Sequence, residues 1–252
     1  MPPDEQKGEE RIMTISKRFF VLSVIVVGLF AAGHAGAIDL QLALNIDTSG
    51  SIGQAGFDLQ QDAYAAVLAN PAFLPQDGSV AVGVWNFSTA VIEEFPMTII
   101  TAANIGDLVA AINGMTFQNG STALAQSIDA AAAGILASGI MSDREIIDVS
   151  TDGEQFPAPP PDPSAAALAA VAAGIDQVNC LGVGGGADCS FIAGVGAFSI
   201  TAGGFADFQA ALEEKIEIET GGVIPEPGTM ILLGTGLLGL GGYHRRRRKE
   251  EQ

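Results

Sequence analysis

Between residues 38 and 219, short apolar runs alternate with segments whose apolar positions recur three and four apart. "IDLQLALNID" (38–47), "SVAVGVWNFS" (79–88), "REIIDVSTD" (144–152) and "DQVNCLGVG" (176–184) predict strands. "TAVIEEFPMTI" (89–99) reads as a hairpin partner of the run before it, and "GAFSITA" (196–202) as a short last strand. Helical spacing puts Phe57, Tyr64 and Leu68 on one face, and Leu124, Ile128 and Ile135 on another. Ser164 is placed to cap the alanine-rich "SAAALAAVAAG". Phe205, Phe208, Leu212 and Ile216 form a final stripe, with Glu213, Glu214 and Glu217 outside it. Strands alternating with helices predict an α/β fold. The sheet is doubly wound and mostly parallel, with one antiparallel edge strand and helices on both faces. In such sheets ligands sit beyond the carboxyl ends of the strands. "NIDTSGS" and "VSTDG" lie at two such ends.

The chain ends differ from this middle. Residues 17 to 37, "KRFFVLSVIVVGLFAAGHAGA", carry the three parts of a secretory signal. Lys17 and Arg18 give a positive start, Phe19 to Ala32 an apolar stretch, and Ala35-Gly36-Ala37 a small-residue cleavage site. The acidic "MPPDEQKGEERI" before it is unusual for such a segment, and leaves Met1 and Met13 as alternative starts. At the other end, Pro225, Glu226 and Pro227 precede an apolar run from Thr229 to Tyr243, then Arg245, Arg246, Arg247, Arg248 and Lys249. Basic residues after an apolar span stay cytoplasmic, so the preceding domain is expected outside the inner membrane. The run is short for a stable span and suits a temporary stop. This tail resembles the PEP-CTERM sorting signal of Gram-negative bacteria. The resemblance implies an exosortase that processes it, transient contact with the inner membrane, and delivery to the cell surface or extracellular matrix. Five segments follow: 1–37 as extension and signal, 38–219 as the domain, 220–228 as linker, 229–243 as transmembrane segment and 244–252 as basic tail.

Removing the ends changes the charge. Between residues 38 and 224 only Arg144 and Lys215 oppose 22 Asp and Glu, a formal charge of −20. Such a surface repels nucleic acid and anionic membranes and attracts cations. Histidine is confined to His34 in the signal and His244 in the tail. Ser-His-Asp and Cys-His catalysis are thereby excluded from the domain, as is a His-ligated zinc site. Cys180 and Cys189, the two cysteines, stand close together in "NCLGVGGGADCS" and read as a disulfide in an exported protein, with two free thiols as the alternative.

Asp47, Ser49 and Ser51 alternate in a turn just past a strand, with Gly50 and Gly53 easing the bend. Their hard oxygens are the donors magnesium and calcium prefer, although Ser49 or Ser51 would also serve as a helix cap. "NGSTAL" brings Thr122 to a helix start, and "IIDVSTDGE" brings Asp152 to a strand end. A cap and an ordinary turn residue are their plainer readings. Together and in this order the three stretches resemble the metal-ion-dependent adhesion site of von Willebrand factor type A domains. The resemblance covers about residues 38 to 219 and implies a Rossmann-like fold. "VNCLGVGGGADC" and "GVGAFSITAGGFADFQAALEEKI" are similar to a bacterial branch of undefined role. It further implies one Mg2+ (or Mn2+ or Ca2+) among Asp47, Ser49, Ser51, Thr122 and Asp152, with one position open to a partner's carboxylate. The proline-rich "EQFPAPPPDPS" after Asp152 departs from familiar receptor domains and would stiffen the rim.

The leading expectation is therefore a noncatalytic, metal-dependent binding or adhesion module. It would bridge to an acidic group of a protein or of an exopolysaccharide. A structural matrix protein with a stabilising metal is the alternative. A metal-assisted hydrolase would need an Asp or Glu such as Glu154 as base.

Overall fold

The apolar runs become the strands of one seven-stranded sheet. The computed structural model describes residues 37–153, 156 and 162–221. In chain order the elements are β1 (Leu40–Asp47), α1 (Gly53–Ala69), β2 (Asp77–Phe87), β3 (Val91–Thr101), α2 (Ile105–Gly114), α3 (Leu124–Ala137) and β4 (Glu145–Thr151). These are followed by α4 (Pro163–Ala173), β5 (Gln177–Val183), β6 (Ala193–Gly194), β7 (Ser199–Ala202) and α5 (Phe208–Glu219), the last preceded by a 3-10 turn (Phe205–Asp207).

β1 is buried along its whole length, as a central parallel strand must be. It pairs in parallel with β2 on one side and β4 on the other, and β4 continues in parallel to β5. β3 closes one edge antiparallel to β2. The far side of β5 is shared. β7 runs parallel to its second half, and the two-residue β6 adds a second, small antiparallel pairing near its start. That second pairing goes beyond the single antiparallel edge expected from sequence, since two residues leave no periodic signal.

Alternation along β1 divides the core. Leu40, Leu42, Leu44 and Ile46 pack on one face with Phe57, Tyr64 and Leu68 of α1, Leu108 and Ile112 of α2, and Phe208, Leu212 and Ile216 of α5. Ala43 belongs to the other face, with Trp85, Ile147, Val149, Ile128 and Ile135 of α3, and Ala167 and Ala170 of α4. Asp162 rather than Ser164 caps α4: its carboxylate accepts the Ser164 N–H at 3.0 Å, and Pro163 fills the first helical position. Proline has no N–H to satisfy there, and the helix starts two residues earlier than a Ser164 cap would place it. Cys180 in β5 is joined to Cys189 by a disulfide with Cα atoms 5.7 Å apart.

Among the described residues no helix is long and apolar enough to cross a membrane. The expected signal and the expected membrane segment 229–243 lie outside the described residues, as does the basic tail.

Candidate metal site

Three connections meet beyond the carboxyl ends of β1 and β4: the β1–α1 loop, the segment before α3, and the loop after β4. Asp47 closes β1 and is fully buried. Its Oδ1 accepts the Ser49 N–H at 2.8 Å, and its Oδ2 accepts the Thr151 hydroxyl at 2.6 Å. The first bond is the tight local turn that Asp favours after a strand. Ser49 Oγ lies 3.2 Å from Ser51 Oγ, and Ser51 Oγ donates to Asp152 Oδ1 at 2.7 Å. Asp47, Ser49, Ser51 and Asp152 thus form one connected chain of polar contacts from the interior to the surface.

The loop that carries Thr122 is tied to the β1–α1 loop through the backbone of Asn119 and Gly120. Gly50 N–H donates to Gly120 O at 2.9 Å, and Asn119 N–H donates to Thr48 O at 3.0 Å. Asn119 takes φ 53°, a left-handed conformation that asparagine tolerates better than most residues. At Gly120 a Cβ would run into the Thr89 and Ser88 hydroxyls, so any side chain there would have to displace them. Thr122 is itself nearly buried and exchanges two backbone hydrogen bonds with Phe156, at 3.0 and 3.1 Å. This joins the second loop to the third. The Phe156 side chain, 66% exposed, stands outside that junction. Thr122 precedes the N-terminus of α3 rather than capping it, since Ala123 holds the cap position without a side-chain bond.

Several residues that hold the site were not singled out from sequence. Thr151 orients Asp47, and Gln60 from α1 donates to the Asp47 carbonyl at 2.9 Å. Ser88 in the β2–β3 turn accepts the Gly120 N–H at 2.8 Å and donates to Ser121 O at 3.0 Å. Serine and threonine are too common for such roles to show in one sequence. The one signal was position, with Thr151 directly before Asp152. Glu154, the base a hydrolase would need, lies outside the described residues.

Electrostatics set this pole apart. Burial pushes the Asp47 carboxyl up to about 6, hydrogen bonds from Thr151 and Ser49 hold it down in part, and the Asp152 charge adds to the rise. Among the described residues the ion pairs belong to Lys215 alone, so no basic side chain compensates Asp47. A buried carboxylate without a partner is costly. Among the described residues no three His, Cys, Asp or Glu side chains are grouped so that they could hold a metal ion, so a cation here would depend on hydroxyl oxygens as well as carboxylates. Two carboxylates and three hydroxyls are a hard oxygen set. They fit Mg2+, Mn2+ or Ca2+ and give a soft metal little to bind. A separate cavity of about 280 Å³, lined by Gln41, Leu136, Ile140, Met141 and Glu145, lies at the opposite end of the strands and has no part in this cluster.

Sheet order and helix placement define a von Willebrand factor type A fold. Solved structures similar to this chain share it. Proximal thread matrix protein 1 from the mussel byssus is 19% identical with a TM-score of 0.59, the match covering 72% of this chain and 47% of that one. A form of the same protein with a zinc-occupied MIDAS motif gives 17% and 0.56, covering 72% and 48%. The pilus adhesin SpaC from Lactobacillus rhamnosus GG gives 14% and 0.59, covering 73% and 31%. The chain thus spans about half the length of the mussel protein and less of the adhesin. Residues 37–224 match the family described as "Protein of unknown function (DUF1194)", and the chain belongs to that family. Residues 223–248 match the PEP-CTERM protein-sorting motif, which marks an exported protein. No curated protein matches the sequence.

Proposed function

We propose that the domain is a noncatalytic binding module that uses one divalent cation, held by Asp47, Ser49, Ser51, Thr122 and Asp152, to bridge to an acidic group on a partner. The observation that carries this reading is the buried, uncompensated Asp47 at a pole rich in hydroxyls, linked through Ser49 and Ser51 to the more exposed Asp152. A bound cation would supply charge neutralisation and an open coordination position for an incoming carboxylate. Asp47 and Ser49 would hold it from within, Ser51 and Asp152 from the solvent side, and Thr151 would keep Asp47 oriented. With this acidic surface, partner recognition is short-range and metal-bridged, because distant like charges repel and are screened by salt. Candidate partners are a protein or an acidic exopolysaccharide at the cell surface or in the matrix, reached after exosortase processing of the tail. Capture of partners from the outer surface by the wild type, with and without chelator and by Asp47→Ala, tests the reading. Loss in both arms with folding retained is expected; retained capture in both would refute it.

The likeness to a byssus matrix protein favours a second reading, a structural component whose metal only stabilises the fold. Chelation would then lower the melting temperature without releasing any partner.

A further inference from the structure

Only two basic side chains stand between residues 38 and 221, and one of them, Lys215, is fully buried. It meets two equally buried carboxyl groups. Glu219 lies one turn further along α5, with Oε1 2.5 Å from Lys215 Nζ. Asp148 comes from the middle of β4, and its Oδ1 lies against the same nitrogen. The contact with Asp148 is not a hydrogen bond. Neither Asp148 oxygen has a hydrogen-bond partner among the described residues, although the lysine nitrogen touches the group. A pair assembled for charge alone aligns N–H with a lone pair, which is its strongest arrangement. Here a nitrogen and a carboxyl group are held together without that alignment, in a closed setting. The Phe198 ring is centred 5.4 Å from Nζ, and Asn179 Nδ2 steadies Glu219 Oε1 at 2.9 Å. Tyr64 approaches from α1, its hydroxyl engaged with Ser150 at 2.9 Å.

We propose that Lys215 and Asp148 condense into an intramolecular amide, with Glu219 carrying the protons. Transfer of one proton from the ammonium to the Asp148 carboxylate gives an amine and a carboxylic acid with no change in net charge. The Nζ lone pair then attacks Cγ, forming the C–N bond as the carbonyl π bond opens. Glu219 takes a proton from the nitrogen and delivers it to the departing hydroxyl. The C–O bond breaks and one water leaves. The balance needs no oxidant, reductant or co-reactant. Burial favours the product, since a neutral amide replaces an ion pair removed from water. Burial and the Asp148 charge also lift Glu219 to about 7, where it can serve as both acid and base. The bond would tie α5 to β4, the strand that ends in Thr151 and leads to Asp152. It stands whether or not the metal reading does.

Mass spectrometry of the purified full-length protein, denatured and reduced, tests this. After allowance for removed ends, the chain is expected to weigh one water less than its sequence. A digest should contain a branched peptide joining the Lys215 and Asp148 segments, and a lysine-specific protease should leave Lys215 uncut. Glu219→Gln, which keeps the side-chain shape, should restore the unlinked mass and the cut at Lys215. Asp148→Leu, which leaves no carbonyl carbon for the lysine to attack, serves as the second variant should the first not fold. A wild-type protein of full mass, cleaved at Lys215, would be a plain buried ion pair and would overturn the proposal. Glu219→Gln linked as fully as the wild type would overturn the role given to Glu219.

Discussion

Two buried acidic clusters, less than a strand's length apart, solve the same electrostatic problem in opposite ways. Asp148 and Glu219 lie beneath α5 around Lys215, so the cation they face as the chain folds, before any amide forms, is built into the chain. Asp47, also fully buried, has only hydrogen-bond donors around it and the like charge of Asp152 nearby. In a domain with 22 acids and two bases, a lysine spent in the core is unavailable to the pole. On the proposed reading an external cation completes the pole, whereas the core cluster holds its basic group within the chain.

The largest effect should come from removing the internal cation. Lys215→Met removes the lysine in either form, as amide or as ammonium, leaves two carboxyl groups buried without a counter-charge, and should cost about 3–5 kcal/mol in a urea titration. Asp47→Asn should break the comparison the other way. Metal affinity by calorimetry should fall by more than about 100-fold, beyond what loss of a supporting contact costs. Metal-free stability should hold or rise, because an uncompensated charge is gone. Equal destabilisation by both variants would mean that the two clusters do not differ in this way.

Glu219 faces Lys215 on its own helix, Asp148 from β4, Asn179 from β5 and Tyr64 from α1, and its carboxyl sits raised from 4.5 to about 7. The folded state therefore binds a proton more tightly than the unfolded chain does. The stabilisation is full below the unfolded value and is lost as pH rises through the folded one. In protein not joined at Lys215 and Asp148, metal-free stability should drop on the order of 2 kcal/mol between about pH 4.5 and 7.5, and Glu219→Gln should flatten the profile. The smallest effect is expected at Thr151→Val, which removes only the hydroxyl orienting Asp47 and should weaken metal binding about tenfold.

Much of this contrast was written in the sequence. The runs at 38–47, 79–88, 144–152 and 176–184 are strands because continuous apolar stretches of that length have one good solution in a covered parallel sheet. Helix α2 (Ile105–Gly114) drew no sequence signal. It is short and buries only Leu108 and Ile112. On α5, Glu213, Glu214 and Glu217 do stay off the core side, but Lys215 and Glu219 continue the stripe of Phe208 and Leu212 inward. Asp148 inside the apolar "REIIDVSTD" drew no reading from the sequence beyond its place in a strand. A carboxylate amid a buried strand requires a cation, and the domain offers only two. The grouping of Asp47, Ser49 and Ser51 was visible from spacing. The support from Gln60 and Ser88 was not, because it depends on elements that meet only in the folded chain.

The most direct measurement is a crystal structure grown or soaked with Mn2+, read by anomalous scattering. The account predicts one strong peak ringed by oxygens of Asp47, Ser49, Ser51, Thr122 and Asp152. A peak elsewhere on the acidic surface, or none at this pole with Asp47 still buried and unpartnered by any cation, would contradict it.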